Sequence, residues 1–372
     1  MRHMLIVATS GRALAQCAAR SGFSSVVLDC FGDTDTCKVA TSANVVADKT
    51  GLGIDGDRLL EAAEVLSPPR ETDALVYGAG FESDPDLLER FSQRYPLRGN
   101  KPDVVRSVKN PMSLVRLLDQ VGLPHPETRL EPPEDGNGWL VKRIGGSGGQ
   151  HVRSCSGGGF KPGRDYFQRH VRGVVCSALF LVDRQGTRII GFSEALPTGD
   201  GVDAPFAYSG SVSHAVVPQT VREELAFKLD VLAQLAGLVG LNGIDFVLDG
   251  GTFSVLEINP RPTATLELYD PDIGDGLLAA HVAACSGENV TLEQSWGPVR
   301  AHAIVFARNQ LKLPRRWRPA RWCSDIPTSE AVVERGMPIC SVRAEGRTHA
   351  EVIGQIQRYR AAVLESLEEV AA

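Results

Sequence analysis

Two apolar runs near the middle of the chain constrain its fold more than any other stretch. They extend from Ile244 to Leu248 and from Phe253 to Ile258, and a turn with two consecutive glycines joins them. Two such runs around a glycine-containing turn predict a β-hairpin. Because side chains alternate between the faces of a strand, Glu257 and Asn259 share a face, and the hairpin lays Asp245 beside them.

These three side chains form a candidate metal site. Two carboxylates and an amide oxygen are hard ligands that suit Mg²⁺, which usually keeps waters and takes further oxygens from nucleotide phosphates. Arg261, two residues after Asn259, would hold a phosphoryl or carboxylate group with its planar guanidinium. The alternative is a polar hairpin end with surface acids, because acidic residues within one hairpin are common.

The segment Glu257-Ile258-Asn259-Pro260-Arg261 carries a more specific signal. It resembles the metal-binding segment of the ATP-grasp superfamily of carboxylate–amine and carboxylate–thiol ligases, in the Asn-Pro-Arg form seen in carbamoyl-phosphate synthetases and biotin carboxylases. The resemblance implies that Asp245, Glu257 and Asn259 hold the Mg²⁺ (or Mn²⁺) of ATP. It also implies that Arg261 and Lys142 act as catalytic residues.

Length and charge exclude several classes of function. The chain has 372 residues, enough for two or three domains, and its net charge of −6 provides no basic surface for nucleic acid. No apolar run approaches the roughly 20 residues that span a bilayer, and the short apolar run near the N-terminus is not that of a signal peptide. The eight cysteines include no C-x-x-C pair. We therefore expect a reduced, cytoplasmic protein with no membrane or nucleic-acid partner.

Strands alternate with helices in the first hundred residues, which predicts a parallel α/β sheet. Ligands of such sheets lie at the carboxyl ends of strands. That position, and the resemblance to the N-terminal domain of ATP-grasp ligases, give a set of candidate substrate residues: Ser10, Gly11, Arg12, Gly80 and Glu82. A dinucleotide site is disfavoured because G-x-G-x-x-G does not follow the first strand. The alternative for the glycines is an ordinary turn.

Two lysines precede structural features typical of nucleotide sites. Lys109 ends a polar linker before a helix, and Lys142 ends a strand that leads into a glycine-rich loop. Backbone N–H groups of such a loop approach phosphate oxygens closely because no Cβ obstructs them. By resemblance to ATP-grasp enzymes, both lysines bind ATP, as do the loop residues Gly145, Gly146, Ser147, Gly148 and Gly149. The alternatives are a solvated lysine at position 109 and a flexible linker.

The stretch from Asp165 to Gly173 resembles the strand and hinge that carry adenine in the same superfamily. The resemblance assigns four residues to ATP binding: Gln168, Arg169, His170 and Val171. Many members have a carboxylate after the hinge glycine for the ribose hydroxyls, and none follows Gly173 here. His214, in a predicted strand from Phe206 to Val217, is a further candidate substrate residue, and a structural histidine is the alternative.

The resemblance implies an α/β fold, α+β in part, of the ATP-grasp type. We expect an N-terminal parallel α/β (pre-ATP-grasp) domain at 1–98, a small lid subdomain at 99–172, a large subdomain with the metal hairpin at 173–297, and a small C-terminal strand and helix element at 298–372. The pair Thr348 and Glu351 forms a capping box that predicts the start of the last helix.

The implied activity is ATP-dependent phosphorylation of a carboxylate, followed by attack of an amine on the acyl phosphate. The layout is similar to that of predicted carboligases and of tyramine–glutamate ligases of methanofuran and methylofuran synthesis, which implies glutamate and an aromatic amine as substrates. The alternatives are an ATP-grasp ligase of other amino-acid or purine-pathway substrates, and a non-catalytic nucleotide-binding regulator. A homodimer is compatible with the sequence, which does not determine the oligomeric state.

Overall fold

The structure, a computed structural model, describes residues 3–199, 202–295 and 297–371. Its first unit is a four-stranded parallel sheet with strand order β3-β2-β1-β4. The strands are β1 (His3–Val7), β2 (Ser24–Asp29), β3 (Ser42–Val45) and β4 (Ala74–Tyr77), and the helices are α1 (Arg12–Arg20), α2 (Thr34–Val39), α3 (Gly56–Leu66) and α4 (Pro85–Ser92). The strand ends that carry the candidate substrate residues therefore meet at one edge of this sheet.

Two helices and a small antiparallel sheet follow. The helices are α5 (Pro102–Lys109) and α6 (Pro111–Val121), and the strands are β5 (Thr128–Arg129), β6 (Trp139–Arg143), β7 (Arg153–Ser154) and β8 (Asp165–Arg169). The strand order is β5-β8-β6-β7. The sequence predicted a polar linker before Lys109, and the structure corrects this: α5 occupies that stretch, because Pro102 stands in its first turn and the buried side chains of Val105 and Val108 supply its apolar face.

An eight-stranded antiparallel sheet forms the largest unit, with strand order β13-β12-β9-β10-β11-β14-β18-β16. The strands from residue 174 onward are β9 (Val174–Asp183), β10 (Gly186–Ala195), β11 (Gly210–Ser213), β12 (Gly240–Asp249), β13 (Thr252–Asn259), β14 (Val299–Phe306), β15 (Leu311–Lys312), β16 (Cys323–Ser324), β17 (Val332–Val333) and β18 (Pro338–Gly346). β15 and β17 pair separately. Strands from both sides of the expected boundary at 297/298 thus share one sheet.

Four helices cover the large sheet: α7 (Gln219–Ala236), α8 (Leu266–Tyr269), α9 (Leu277–Cys285) and α10 (His349–Ala371). α7 packs through an apolar stripe, in which Leu225, Leu229 and Leu232 are fully inaccessible. The expected helix start is confirmed, and half of the capping box forms: the Glu351 N–H donates to Thr348 Oγ1 over 3.2 Å, while the Glu351 carboxylate accepts the N–H of Arg347. Among the described residues, no helix has the length and apolarity to cross a membrane.

One apolar core joins the parallel sheet to the large sheet. It contains Met4 and Ile6 from β1, Leu179 from β9, Leu241 from β12 and Leu277 from α9, all buried. His281 strengthens this junction, because its Nδ1 accepts from the Leu241 N–H over 2.8 Å and its Nε2 lies 3.0 Å from the Arg98 carbonyl. The N-terminal sheet therefore packs directly beside β12.

Candidate active site

The predicted hairpin forms from β12 and β13. In its register Asp245 faces Glu257 and Gly243 faces Asn259, with an irregularity directly after Asp245. The three candidate ligands come together, since Asn259 Nδ2 donates to Asp245 Oδ2 over 2.9 Å. The hairpin therefore brings these side chains together, as the alternation of strand residues predicts.

Lys109 completes a polar cluster at the end of the hairpin. Its Nζ lies 3.1 Å from Glu257 Oε2 and 3.0 Å from Asn259 Oδ1. Lys109 is the last residue of α5, and Asn110 then caps α6 by accepting from the N–H groups of Met112 and Ser113. The junction of the two helices therefore fixes the direction of the lysine.

The two carboxylates of the cluster have different proton affinities. Burial and the charge of Glu257 raise the pKa of Asp245 to about 7. Burial would also raise the pKa of Glu257, but the charges of Lys109 and Lys142 outweigh it and lower that pKa to about 2. Glu257 is consequently the fixed negative charge of the site.

The donor set fits a hard divalent cation. Among the described residues, no three His, Cys, Asp or Glu side chains are grouped closely enough to hold a metal. The cluster instead offers the carboxylates of Asp245 and Glu257 and the amide oxygen of Asn259, with Lys109 as the present counter-cation. Mg²⁺ is commonly bound through one or two carboxylates, with waters and phosphates in its other positions. The two oxygens that contact the Lys109 ammonium group, together with the adjacent Asp245 carboxylate, provide such a partial shell.

Lys142 and Gln168 face the same cluster from the small sheet. Lys142 is buried and donates from Nζ to Gln168 Oε1 over 3.0 Å, while Gln168 Nε2 lies 3.4 Å from the Leu256 carbonyl. Burial lowers the pKa of Lys142, and the charges of Glu257 and Asp245 oppose that shift. The small sheet thus contributes a second buried cation beside β13.

The glycine-rich loop between β6 and β7 packs tightly at both ends. A Cβ on Gly145 would lie 2.2 Å from the Glu82 carbonyl oxygen, and one on Gly149 would lie 1.9 Å from that of Phe206. Both have φ near +70°, which favours glycine. Between them lie Gly146, Ser147 and Gly148, and the Gly148 carbonyl accepts from the Tyr208 N–H over 2.9 Å. The expected strand over 206–217 is confined to Gly210–Ser213, because the preceding residues pack against this loop.

Two adjoining pockets lie between the small sheet, α6 and β13, and they share Pro111, Leu114 and Tyr166. The polar pocket is also lined by Val108, Lys109, Arg143, Gly145, Gly146, His151 and Glu257. The more apolar pocket is also lined by Val115, Leu118, His125, Thr128, Gln168, Val255 and Leu256. Together they form one groove, polar at the glycine loop and apolar beside α6.

Sequence reasoning did not identify three residues that line the polar pocket: Arg143, His151 and Tyr166. His151 packs its ring over Gly146. Burial lowers the pKa of His151 to about 4. The charge of Glu257 opposes this shift, and the charges of Lys142, Arg143 and Lys109 act in the same direction as burial. Arg143 and His151 each lie two residues from the glycine run in the sequence, and that proximity was the available signal.

Of the four predicted hinge residues, Gln168 is the one whose side chain lines the groove. Arg169 stacks over Trp139 at 5.0 Å and donates to the Asn137 carbonyl. His170 contacts the edge of Phe206, and Val171 follows the end of β8 half-buried. Alternation along β8 separates Gln168 from Arg169, because neighbouring residues point to opposite faces, and His170 and Val171 lie beyond the strand.

Arg261 and Glu82 form a buried ion pair between β13 and the N-terminal domain. Arg261 donates from Nε to Glu82, and from Nη1 to the Pro262 carbonyl over 3.2 Å. Glu82 Oε2 also accepts the Gly80 N–H over 2.7 Å. Within the described part of the chain, Arg261 Nη2 has no hydrogen-bond partner, so the guanidinium retains donor capacity.

The other candidate substrate residues have different environments. Arg12 is buried and forms ion pairs with Glu267 and Asp325. Gly11 donates its N–H to Asp29, and Ser10 is exposed. His214, with φ of 59°, follows β11 and lies between Tyr269 and His349. None of these four residues lines either pocket of the groove.

A known protein family matches the part of the chain that forms the groove. Residues 108–265, which contain α6, the small sheet and the hairpin, match the family described as ATP-grasp domain. No curated protein sequence matches the chain.

Three solved structures resemble the chain along nearly its whole length. Biotin carboxylase from Campylobacter jejuni, in a complex with β,γ-ATP, is 14% identical with a TM-score of 0.73, covering 94% of this chain and 89% of the other. The biotin carboxylase domain of 2-oxoglutarate carboxylase from Hydrogenobacter thermophilus, with MgADP and bicarbonate, is 12% identical with a TM-score of 0.73, covering 95% and 89%. N5-carboxyaminoimidazole ribonucleotide synthetase from Thermotoga maritima is 16% identical with a TM-score of 0.67, covering 97% and 98%. The chain therefore has the ATP-grasp fold, as the sequence predicted.

Proposed function

We propose that this protein is an ATP-dependent carboxylate–amine ligase that forms an acyl phosphate and then an amide. One observation carries the proposal: Lys109, Asp245, Glu257 and Asn259 converge within hydrogen-bond distances at the polar end of a groove, and Lys142 donates to Gln168, which lines the same groove. A fixed anion among buried cations suits the transfer of a phosphoryl group, whose charge must be held throughout the reaction.

The two ends of the groove suit the two ends of ATP. The apolar pocket offers Leu118, Val255 and Leu256 to a planar base, with the amide of Gln168 at its edge. The polar pocket offers Lys109, Arg143 and the backbone of the glycine loop to the phosphates. Two of the similar structures are complexes with β,γ-ATP and with MgADP, which supports a nucleotide as the ligand of this fold.

Asp245, Glu257 and Asn259 would hold Mg²⁺, which neutralises phosphate charge when it is bound. Lys109 would then turn from these oxygens to the phosphates. Lys142 stays beside Glu257 as a fixed cation in a buried site, where charge acts more strongly than in water. Closure of the glycine loop would exclude water from the acyl phosphate.

Arg261 is the candidate ligand of the acid substrate. Its Nε is committed to Glu82, which lies in a loop of the N-terminal domain, and its remaining donor is available for an acyl carboxylate or phosphate. The pair thus connects the hairpin to the loop where acceptor or acid binding is expected. By the resemblance noted above, glutamate is the first acid to test, with tyramine as the first amine.

The experiment is release of phosphate and ADP from Mg·ATP across a panel of amino acids, each with and without amines that include tyramine. Release that requires one acid and one amine, with an amide product of matching mass, is the expected result. A regulator that only binds nucleotide would bind ATP tightly in calorimetry and return it unchanged with every pair. Tight ATP binding without release from a broad panel would therefore overturn the ligase.

A further inference from the structure

An amine that arrives as an ammonium ion must lose a proton before it attacks an acyl phosphate. This requirement rests on the proposed function. The carboxylates of the groove are poorly suited to it, because Glu257 is held ionised by two lysines and Asp245 belongs to the same ligand set. A separate proton acceptor is therefore needed near the glycine loop.

A second polar cluster, formed by Glu267, His302 and Tyr208, has the required composition. Tyr208 Oη lies 2.5 Å from His302 Nε2, and His302 Nδ1 lies 3.1 Å from Glu267 Oε1. The second contact is within ion-pair range but is not aligned as a hydrogen bond, and Nδ1 has no hydrogen-bond partner among the described residues. The order carboxylate, imidazole, hydroxyl is the arrangement by which an imidazole draws a proton from a hydroxyl group.

Two further side chains hold this cluster in place. Arg12 donates to both oxygens of Glu267, over 2.5 and 3.0 Å. Ser211 Oγ lies 3.0 Å from Tyr208 Oη, so that its hydroxyl can donate to the tyrosine oxygen while the tyrosine donates to His302. His302 is 3% exposed. The imidazole therefore has one orientation in which both of its nitrogens face groups of the cluster.

Tyr208 is the member of the cluster that contacts the glycine-rich loop through its backbone. Its N–H donates to the Gly148 carbonyl of the glycine loop over 2.9 Å. Its hydroxyl lies 2.5 Å from His302 Nε2 and 3.0 Å from Ser211 Oγ, so this one residue joins the glycine loop to the imidazole. Its side chain is half-buried, whereas the imidazole behind it is closed off from solvent.

We propose that Tyr208 is the catalytic acceptor of the amine proton, and that His302 and Glu267 are positioning residues that take the proton onward. The substrate class that follows is a primary amine bound in its ammonium form. Tyr208 would receive the proton only with the glycine loop closed, because its backbone is bonded to that loop.

The step balances without a further reactant. One ammonium proton passes to Tyr208 Oη as the phenolic proton passes to His302 Nε2, and the carboxylate of Glu267 stabilises the imidazolium. The freed lone pair forms the C–N bond, and the C–O bond to phosphate breaks with its electrons on phosphate. The second nitrogen proton leaves with the departing phosphate.

The test compares two acceptors in the Tyr208→Phe variant. With the amine, we expect kcat to fall on the order of 100-fold, the usual contribution of a general base. With hydroxylamine, which is largely unprotonated at neutral pH and needs no base, hydroxamate formation from the same acid should be unchanged. Tyr95→Phe is the matched control, because the Tyr95 hydroxyl is buried and has no partner among the described residues.

Equal losses with both acceptors would assign Tyr208 a structural role and overturn the relay, as would full activity with the amine. Absence of hydroxamate with the unmodified protein, ATP and every acid would instead overturn the proposed function, and the relay with it. His302→Gln should reproduce the selective loss for the amine, with thermal melting as the check on folding.

The pH profile provides an independent readout. The groups that face His302 are Glu267, Arg12, Asp325, Arg343 and the Tyr208 phenol. Burial lowers the pKa of His302. The charges of Glu267 and Asp325 oppose this shift, while those of Arg12 and Arg343 add to it. At saturating amine, kcat should fall as pH drops through that pKa, because a protonated imidazole accepts no proton. A low-pH limb that persists unchanged in Tyr208→Phe would contradict the relay.

Discussion

The groove cluster around Glu257 and the cluster around Arg12 are both buried, and both contain charges from distant parts of the chain. They differ in how fully those charges are paired. Arg12 donates to Glu267 from two nitrogens and to Asp325 from two, so its guanidinium is satisfied within the protein. In the groove, Lys109 and Lys142 share one ionised carboxylate, Glu257, and Arg261 keeps a free donor.

Incomplete pairing is what separates a binding site from a structural ion pair here. A buried charge without a full set of partners costs free energy, and a ligand of opposite charge relieves that cost. The groove holds two lysines beside one ionised carboxylate at a pocket, whereas the Arg12 guanidinium is fully paired and lines neither pocket of the groove. The two clusters should therefore respond differently to mutation.

The largest expected effect is on turnover in Glu257→Gln. The amide keeps the shape of the side chain but removes the negative charge that Lys109 and the metal require. We expect kcat to fall by about three orders of magnitude, or roughly 4 kcal/mol of transition-state stabilisation. ADP release at saturating Mg·ATP measures it.

Glu223→Gln is the matched control, because Glu223 is exposed on α7 and bonds only to Gln219 among the described residues. Its kcat should equal that of the unmodified protein. Normal turnover in Glu257→Gln would remove the metal assignment and with it the contrast between the two clusters.

The next effect is on stability in Arg12→Met. Loss of the guanidinium leaves Glu267 and Asp325 buried without a counter-charge, which typically costs about 3 kcal/mol or more. Urea unfolding monitored by circular dichroism measures the free energy of unfolding. Arg106→Met, in an exposed ion pair with Asp86 and Glu89, should change that free energy little.

A stable Arg12→Met variant with a raised KM for the acid would reverse this assignment. Arg12 would then be a substrate ligand, as the sequence analysis expects. Its ion pairs with Glu267 and Asp325 would be contacts that the substrate replaces.

The sequence was sufficient to predict the hairpin, because strand alternation and one glycine turn determine which side chains meet. It also predicted the glycine loop and the helix cap at Thr348, where local chemistry decides the structure. The parallel N-terminal sheet followed from the alternation of strands and helices. The hairpin, the loop and the cap depend on neighbours close in the chain, and the sheet follows from a pattern that repeats along it, although β1 pairs with the distant β4.

Contacts between distant segments were beyond such reasoning. Nothing local indicates that Glu267 and Asp325 would surround Arg12 from 255 and 313 residues away. The same holds for Glu82 on Arg261 and for Tyr208 against His302. The helix α5 was missed for a different reason, since its eight residues are too few to establish a period.

His281 provides a pH-dependent test of the core that joins the two sheets. Burial lowers the pKa of His281 to about 4, from 6.5 when unfolded. Below pH 6.5 the unfolded chain binds a proton that the folded chain does not, so stability falls as pH drops from 6.5 to 4 and levels off below. The loss should approach 3 kcal/mol.

The measurement is the free energy of unfolding across that pH range in the unmodified protein and in His281→Gln. The variant should lose this pH dependence in addition to some stability at neutral pH. An identical slope in both proteins would mean that other groups cause it.

The smallest effect is expected from a pair of substitutions in the glycine loop. Gly148 and Gly149 have nearly the same φ, 70° and 71°, so alanine imposes a similar backbone strain at each. They differ in their surroundings, because a Cβ on Gly149 would lie 1.9 Å from the Phe206 carbonyl oxygen while one on Gly148 meets nothing within 4 Å. Gly149→Ala should therefore hinder closure of the loop beside Tyr208 and raise the Kd for ATP about tenfold beyond Gly148→Ala, roughly 1.4 kcal/mol. Equal affinities in calorimetry would mean that ATP binds with the loop away from residues 206–208. The packing of the loop against those residues would then be a structural contact, like the ion pairs of Arg12, with no part in binding.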